Sequence, residues 1–339
     1  MNRQIVLAAR PVGAVTESCF ETVEVPVPEL GEGEALFEVR YLGIDPTIRG
    51  WLDARGNYMA GVAIGEPVRS NGIGVCVETN NPDEYPLGKA FMHLTGWQQY
   101  CVVESNPFPP ITTIDDDIDP MLTFGVLGHI GFTAYLGVME VARPQPGETF
   151  CVSAAASSVG SIAGQIAQME GARVIGIAGS PEKCAWVVDD LGFEACIDYK
   201  REDVAARLKE LAPKGVDVFF DNVGGTLFGT VSRAMAWGGR ILPIGFTSGE
   251  VPSLAMNLPL LKNYSVVGCY WGAWVQREPH QSRAADEQIF ADVARGTLRP
   301  RVPEVLPIAS FAEGLQRLVR RQVTGRIVLR VKESAEAFA

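Results

Sequence analysis

The sequence predicts an α/β protein: a doubly wound parallel sheet preceded by a mostly β, barrel-like domain that the C-terminal tail completes. Three observations carry this. From Thr149 onward, short apolar runs at about 149–154, 173–178, 195–199, 216–221, 240–245 and 264–270 alternate with helical patterns. The helical stretches, at about 159–170, 181–191, 202–212 and 226–237, fall between the first five runs. Runs that are apolar at every position suit strands buried on both faces, and six of them with helical crossovers make a complete doubly wound sheet. Before about residue 125, β-rich segments at 5–9, 20–28, 34–43, 73–78 and 99–103 are separated by turn residues such as Asn80-Asn81-Pro82-Asp83. After Pro300 and Pro303, a helical stretch at 311–321 and a strand at 326–331 read as returning to the first domain. The expected division is 1–127 with 301–339 for the β domain and 128–300 for the α/β domain.

Composition narrows the function. The chain has 339 residues, 47% hydrophobic and 20% charged, as in an ordinary globular protein of two domains. A net charge of −11, with no run of Lys or Arg, disfavours nucleic acid and anionic membrane as partners, since both attract clustered cations. No apolar stretch reaches membrane-spanning length, and Met1-Asn2-Arg3-Gln4 opens no signal-peptide core, so the expected location is cytoplasmic. The seven cysteines include no Cys-x-x-Cys pair, and most sit in apolar runs, where they read as small core residues. His93, His129 and His280 are far apart, so no metal site is expected.

The chain is organised around its first α/β unit. Thr149-Phe150-Cys151-Val152-Ser153-Ala154 reads as a buried strand, and Ala155-Ala156-Ser157-Ser158-Val159-Gly160 as a tight turn of small residues. Val159, Ile162, Ala163, Ile166, Ala167 and Met169 then recur at helical spacing. Such a turn sets backbone N–H groups at a helix N-terminus, where a pyrophosphate can sit. Only Gly160 and Gly164 remain of the G-x-G-x-x-G pattern, with Ser157 where a glycine is usual, so a plain packing turn is the competing reading. The second strand ends in Gly179-Ser180-Pro181, with Lys183 just beyond. A carboxylate at that place favours NAD. Its absence and the nearby cation argue for NADP(H), the alternative being that Lys183 is a solvated helix residue.

With these elements in hand, the chain resembles the zinc-independent branch of the medium-chain dehydrogenase/reductases. Residues 25–225 look like the prostaglandin reductase, alkenal double-bond reductase and curcumin reductase group. The resemblance is carried by Gly43-Ile44-Asp45-Pro46, Gly96-Trp97-Gln98-Gln99-Tyr100, Phe132-Thr133-Ala134-Tyr135, Ile197-Asp198-Tyr199-Lys200 and Phe220-Asp221-Asn222-Val223-Gly224-Gly225. From about Gly238 the chain is more similar to quinone oxidoreductases, through Leu258-Pro259-Leu260-Leu261-Lys262-Asn263 and Val266-Val267-Gly268-Cys269-Tyr270-Trp271-Gly272. Where the zinc enzymes carry Gly-His-Glu, this chain has Gly65-Glu66-Pro67. The resemblance implies a GroES-like barrel and a Rossmann sheet, with NADPH as cofactor.

It also implies roles. Ser157, Ser158, Val159 and Gly160 would hold the pyrophosphate, Lys183 and Tyr199 the adenosine 2′-phosphate, and Asn222 the ribose. Thr133, Gly245, Phe246, Thr247, Cys269, Tyr270 and Trp271 would line the nicotinamide. The implied reaction is hydride transfer to the β-carbon of an α,β-unsaturated ketone or aldehyde, which leaves an enolate in need of a hydrogen-bond donor. Relatives often carry a Tyr in the loop after the fifth strand, and here that place falls to Glu250. Tyr58 is the remaining candidate acid. Arg49, Trp97 and Trp271 are candidate substrate contacts, with an ion pair for Arg49 and core packing for the tryptophans as the plainer readings. An NADPH:quinone oxidoreductase and a non-catalytic NADPH-binding protein stay open as alternatives. The β-branched, aromatic run 264–271 at the expected sheet edge, with the habit of relatives, points to a homodimer.

Overall fold

The computed structural model describes residues 1–13, 15–54, 59–105, 107, 111–114, 118–126 and 128–332. It has two compact units. One runs from Met1 to Phe124 and resumes at Val302; the other is Gly125–Arg301.

The first unit begins with an antiparallel pair, β1 (Asn2–Leu7) and β2 (Phe20–Val25). Then come β3 (Ala35–Ile44), β4 (Asn71–Thr79), β5 (Ala90–Leu94), β6 (Tyr100–Val103) and β7 (Thr112–Ile114). β5 and β7 were not foreseen. Ala90-Phe91-Met92-His93-Leu94 does not alternate, and its strand character comes from pairing with β4. The central strand is β3, which pairs with β4 and β6 and is buried at most positions.

The second unit is a parallel sheet. Its strands are β8 (Thr149–Ser153), β9 (Arg173–Ala178), β10 (Ala195–Asp198), β11 (Val216–Asp221), β12 (Met235–Pro243) and β13 (Ser265–Val266). Their order across the sheet is β10-β9-β8-β11-β12-β13. This is the dinucleotide-binding order 3-2-1-4-5-6, whose reversal point lies between its first and fourth strands, here β8 and β11. Every residue of β8 is buried. Phe150, Phe219 and Phe220 are fully enclosed, each contributing roughly 1.5–3 kcal/mol through burial.

The tail supplies β14 (Glu304–Pro307) and β15 (Ile327–Arg330). β15 runs antiparallel to β3, setting Leu329 opposite Leu42, and gives a sheet ordered β14-β15-β3-β4-β5-β7. The tail therefore completes the first unit, as the sequence indicated. Arg326, just before β15, is buried and paired with Asp45 at 3.3 Å; it also donates to the Phe124 carbonyl at 3.1 Å.

Four elements differ from expectation. The helix expected over 226–237 ends at Arg233, because Met235 is already paired with Val216 in the sheet. The sixth strand is two residues long rather than seven. The Val267 N–H still donates to the Ile241 carbonyl, but the next bond of the parallel ladder would come from the N–H of residue 243, which is Pro243. The chain then turns into a helix, Trp271–Arg277. The helices expected over 132–141 and 181–191 exist, but each widens into a π-helical second half, at Leu136–Ala142 and Trp186–Asp190.

Candidate functional site

The C-terminal ends of the parallel strands carry most of the residues singled out by the sequence. β8 stops at Ser153, and Ala154 adopts φ +49 to start the turn. The Ala154 carbonyl accepts from the Ser157 N–H at 2.9 Å. Ser157 caps the helix Ser158–Met169, its Oγ accepting from the Gly160 N–H at 3.1 Å. A β-carbon at Gly160 would lie 2.4 Å from the Ala154 carbonyl oxygen, so the close turn needs glycine there. At Gly164 it would meet the Phe193 ring at 2.1 Å. Ser157–Gly160 thus form a compact helix N-terminus: the Ser157 and Gly160 N–H groups close the turn, and those of Ser158 and Val159, the first helical residues, are left for a pyrophosphate.

On one side of this turn, β9 ends at Ala178 and a short helix, Pro181–Ala185, begins. Its cap is Ser180, whose Oγ accepts from the Lys183 N–H at 3.3 Å. Tyr199, just past β10, lies against Gly179, where a β-carbon would come within 2.8 Å of the ring. Lys183 and Tyr199 are both half-buried. Their elements meet beside the end of β9, where an adenosine 2′-substituent is read in this sheet order.

On the other side, β11 ends in a polar knot. The Ser153 hydroxyl donates to Asp221 Oδ1 at 2.7 Å and accepts from the Asn222 N–H at 2.8 Å. Asn222 Nδ2 donates to the Ser153 carbonyl at 2.8 Å. Asp221 also accepts from the Val223 and Gly224 N–H groups, each at 3.0 Å. Burial raises the Asp221 carboxyl above its ordinary pKa, and these three donors offset it only in part. Ser153 and Asp221 were not assigned roles from the sequence. The available signal was a carboxylate ending an apolar strand, which needs local donors if it is buried.

The knot also holds the loop after β12. Thr247 donates to the Asn222 carbonyl through both its N–H, at 3.2 Å, and its Oγ1, at 3.0 Å. Glu250 is exposed, and its carbonyl accepts from the Gly225 N–H at 3.1 Å. Phe246 and Thr247 are exposed and Gly245 half-buried. Thr133 is nearly enclosed in the helix His129–Tyr135. Its neighbour Phe132 packs with Cys269, and Ile244 and Trp271 lean on the same cluster. The Thr133, 245–247 and 269–271 groups are therefore brought to one region. Burial pushes the Cys269 thiol up to about 12, leaving it a neutral packing group. Tyr270 is exposed.

The substrate candidates fare differently. Trp97 has no accessible surface and packs against Phe20 and Phe311, with ring centroids 5.9 and 5.4 Å away. It is a core residue of the first unit, and a ring so enclosed offers no face to a substrate. Arg49 pairs with Asp53 at 2.6 Å, one helical turn on. Tyr58 lies outside the described residues. Among the described residues, no group of three or more His, Cys, Asp or Glu side chains is arranged to hold a metal ion. No single helix among them is long and apolar enough to cross a membrane.

Sheet order and turn geometry together define a Rossmann-type dinucleotide-binding unit, joined in one chain to a β unit that its own tail completes. The comparisons narrow this. Residues 3–111 match the N-terminal domain of oxidoreductases, and residues 158–287 the model described as zinc-binding dehydrogenase. The chain is 37% identical over 264 residues to NADPH-dependent curcumin reductase of Escherichia coli strain K12, covering 77% of this chain and 76% of that one. It is 35% identical over 254 residues to the NADP(+)-dependent 2-alkenal reductase of Nicotiana tabacum, covering 73% of each. The crystal structure of CurA from Vibrio vulnificus in complex with NADPH superposes with a TM-score of 0.86 at 29% identity, over 98% of this chain and all of that one. The chain belongs to the zinc-independent group of the medium-chain dehydrogenase/reductase family.

Proposed function

We propose that the protein is an NADPH-dependent reductase of activated C=C bonds, acting on α,β-unsaturated ketones and aldehydes. The observation that carries this is the spatial order of the residues along the C-terminal edge of the sheet. Tyr199 and Lys183 lie at β10 and β9, the Ser157–Gly160 turn at β8, Asn222 at β11, and 245–247 at β12. Four strand spacings, about 19 Å, separate the two ends of this row. It fits an extended dinucleotide with its 2′-phosphate at one end and its nicotinamide at the other. The relatives named above reduce such bonds with the same cofactor.

NADPH, when bound, supplies the hydride that enters the β-carbon of the substrate. The chain's part is to hold and to protonate. Lys183 supplies a charge and Tyr199 an O–H for the 2′-phosphate. Within the 157–160 turn the Ser158 and Val159 N–H groups take the pyrophosphate while Ser157 and Gly160 shape the turn, and the knot around Asp221 fixes Asn222 and the 245–247 loop as one rigid wall. The substrate carbonyl oxygen gains negative charge and needs a donor. A carboxylate side chain such as Glu250 only accepts. We assign the donor to Tyr58 on the sequence argument, with water as its competitor.

Oxidation of NADPH in the presence of cyclohexenone, an enal and a benzoquinone, with product analysis, tests the reading. Saturated carbonyl products are expected. Turnover of the quinone alone would replace it with the quinone reductase, and cofactor binding without turnover with the non-catalytic reading. Tyr58→Phe should lower kcat for enones by about 10-fold or more with NADPH binding unchanged; an unaltered kcat removes Tyr58 from the reaction.

We also propose that a second copy covers the edge near β13, where Val251, Met256, Leu260, Leu261 and Val266 are exposed. Sedimentation velocity at micromolar concentration should find a dimer; monomer alone refutes it.

A further inference from the structure

Asp221 has so far served only to hold the wall beside it. It ends β11, at the point where the strand order reverses, and has no accessible surface. A buried charge is costly unless an opposite charge meets it. Here the partners are all neutral. The Ser153 hydroxyl and the Val223 N–H donate to Oδ1, and the Gly224 N–H donates to Oδ2. Among the described residues, no Lys, Arg or His pairs with this carboxyl. Burial works against the charge, and the three donors work for it. The backbone amides cannot accept a proton, and the Ser153 hydroxyl, which donates to Asp221, already accepts from the Asn222 N–H. Donors on both oxygens are the pattern of an ionised group.

The charge stands next to the residues assigned to the nicotinamide. The Asp221 carbonyl accepts from the Ile244 and Gly245 N–H groups at 2.8 and 3.2 Å, and the next residue, Asn222, holds Thr247. A group touching 245–247 is then on the order of 10 Å from the carboxylate, about two or three Cα steps. At an effective dielectric of about 20, a unit charge changes the stability of another by about tenfold out to roughly 12 Å.

We propose that Asp221 is the counter-charge for the nicotinamide cation that hydride transfer leaves behind. This rests on the placing of the nicotinamide beside 245–247 given above. As the hydride leaves, a C–H bond of the dihydronicotinamide breaks, and both electrons go with the hydrogen to the substrate β-carbon. The ring, neutral before, becomes a cation. The substrate becomes an enolate and takes its proton separately. A fixed carboxylate has little effect on the neutral ring and stabilises the cation, so it favours the transition state over the ground state. Its donors hold it in place beforehand, so no reorganisation accompanies the step.

The test is a calorimetric titration of the full chain with NADPH, NADP+ and 2′-phospho-ADP-ribose, which lacks the nicotinamide. In Asp221→Asn, NADP+ should weaken about 10-fold more than NADPH, and NADPH and the nicotinamide-free ligand should change alike. Ser153→Ala removes a donor and keeps the carboxylate, so the ratio of NADP+ to NADPH affinity should stay as in the wild type. Asp221→Ser, which leaves room for water beside the freed N–H groups, serves where Asp221→Asn does not fold. A ratio unmoved by neutralising Asp221, whatever the loss of overall affinity, would overturn the proposal. So would the same shift in Ser153→Ala, since the shape of the knot and not its charge would then be responsible. The ratio is measured without substrate, so it and the substrate panel can fail independently. Phe246→Ala tests the placing of the nicotinamide separately, by weakening NADPH and sparing the nicotinamide-free ligand.

Discussion

Two helical glycines should respond to alanine with opposite signs. Gly229 lies in the helix Gly225–Arg233, and a β-carbon there meets only the end of the Arg233 side chain at 3.8 Å. Gly160 lies in the first turn of the helix Ser158–Met169, and its β-carbon would stand 2.4 Å from the Ala154 carbonyl oxygen. Helix propensity favours alanine by about 1 kcal/mol at either place. At Gly229 nothing opposes this, so Gly229→Ala should stabilise by up to ~1 kcal/mol. At Gly160 the carbonyl must retreat by at least about 0.6 Å to reach the 3.0 Å that real contacts respect. That carbonyl accepts from the Ser157 N–H, and Ser157 caps Gly160, so the retreat breaks one or both bonds. Each is worth about 1 kcal/mol, and overpacking adds about 1–3 kcal/mol. The clash therefore outweighs the propensity, and Gly160→Ala should destabilise by about 1–4 kcal/mol. Because the same turn presents the N–H groups for the pyrophosphate, NADPH binding should weaken about 10-fold or more, the equivalent of 1.4 kcal/mol. Urea midpoints and a fluorescence titration of NADPH measure both. If Gly160→Ala raises the midpoint as Gly229→Ala does and leaves NADPH affinity intact, the turn is not the tight cradle described.

Three further outcomes follow from single contacts. Lys183→Ala should weaken NADPH by roughly 1–2 kcal/mol, or about 5–30-fold, as a charge-assisted contact partly screened by water, and leave NADH nearly unchanged; equal losses for both cofactors would remove Lys183 from the 2′-phosphate. Arg326→Met leaves the buried Asp45 carboxylate without its guanidinium and should cost about 3–5 kcal/mol in urea unfolding, whereas a change below ~1 kcal/mol would mean that the pair is open to water. Asp286 Oδ1 is buried without a hydrogen-bond partner among the described residues, and burial pushes this carboxyl from 3.8 up to about 7. A raised folded pKa means that the neutral form's contribution is complete below pH 3.8 and is lost as pH rises through about 7. Asp286→Asn should therefore be more stable than the wild type at pH 8, by on the order of 1–4 kcal/mol. The difference should shrink toward pH 4, and parallel pH profiles would refute the assignment.

The family and the cofactor class were written in local sequence. Buried parallel strands must be apolar at every position, so the first five strands of the sheet announced themselves, from 149–154 to 240–245. The turn at Ser157–Gly160 was legible because close approach to a phosphate demands small residues in succession. Departures arose where a distant segment decided the outcome. Met235 joined the sheet because Val216 was there to pair with it, and the sixth strand stopped after Val266 because its neighbour β12 ends in Pro243. Trp97 looked the same in sequence whether it faced a ligand or the core; only the arrival of Phe20 and Phe311 around it placed it in the core. Likewise the Ser153–Asp221–Asn222 knot and the guanidinium of Arg326 on Asp45 join residues far apart in the chain. Propensity and periodicity act over one element at a time, so they fix which elements form. Which side chains face one another across elements depends on how those elements pack, and the tertiary structure alone decided it.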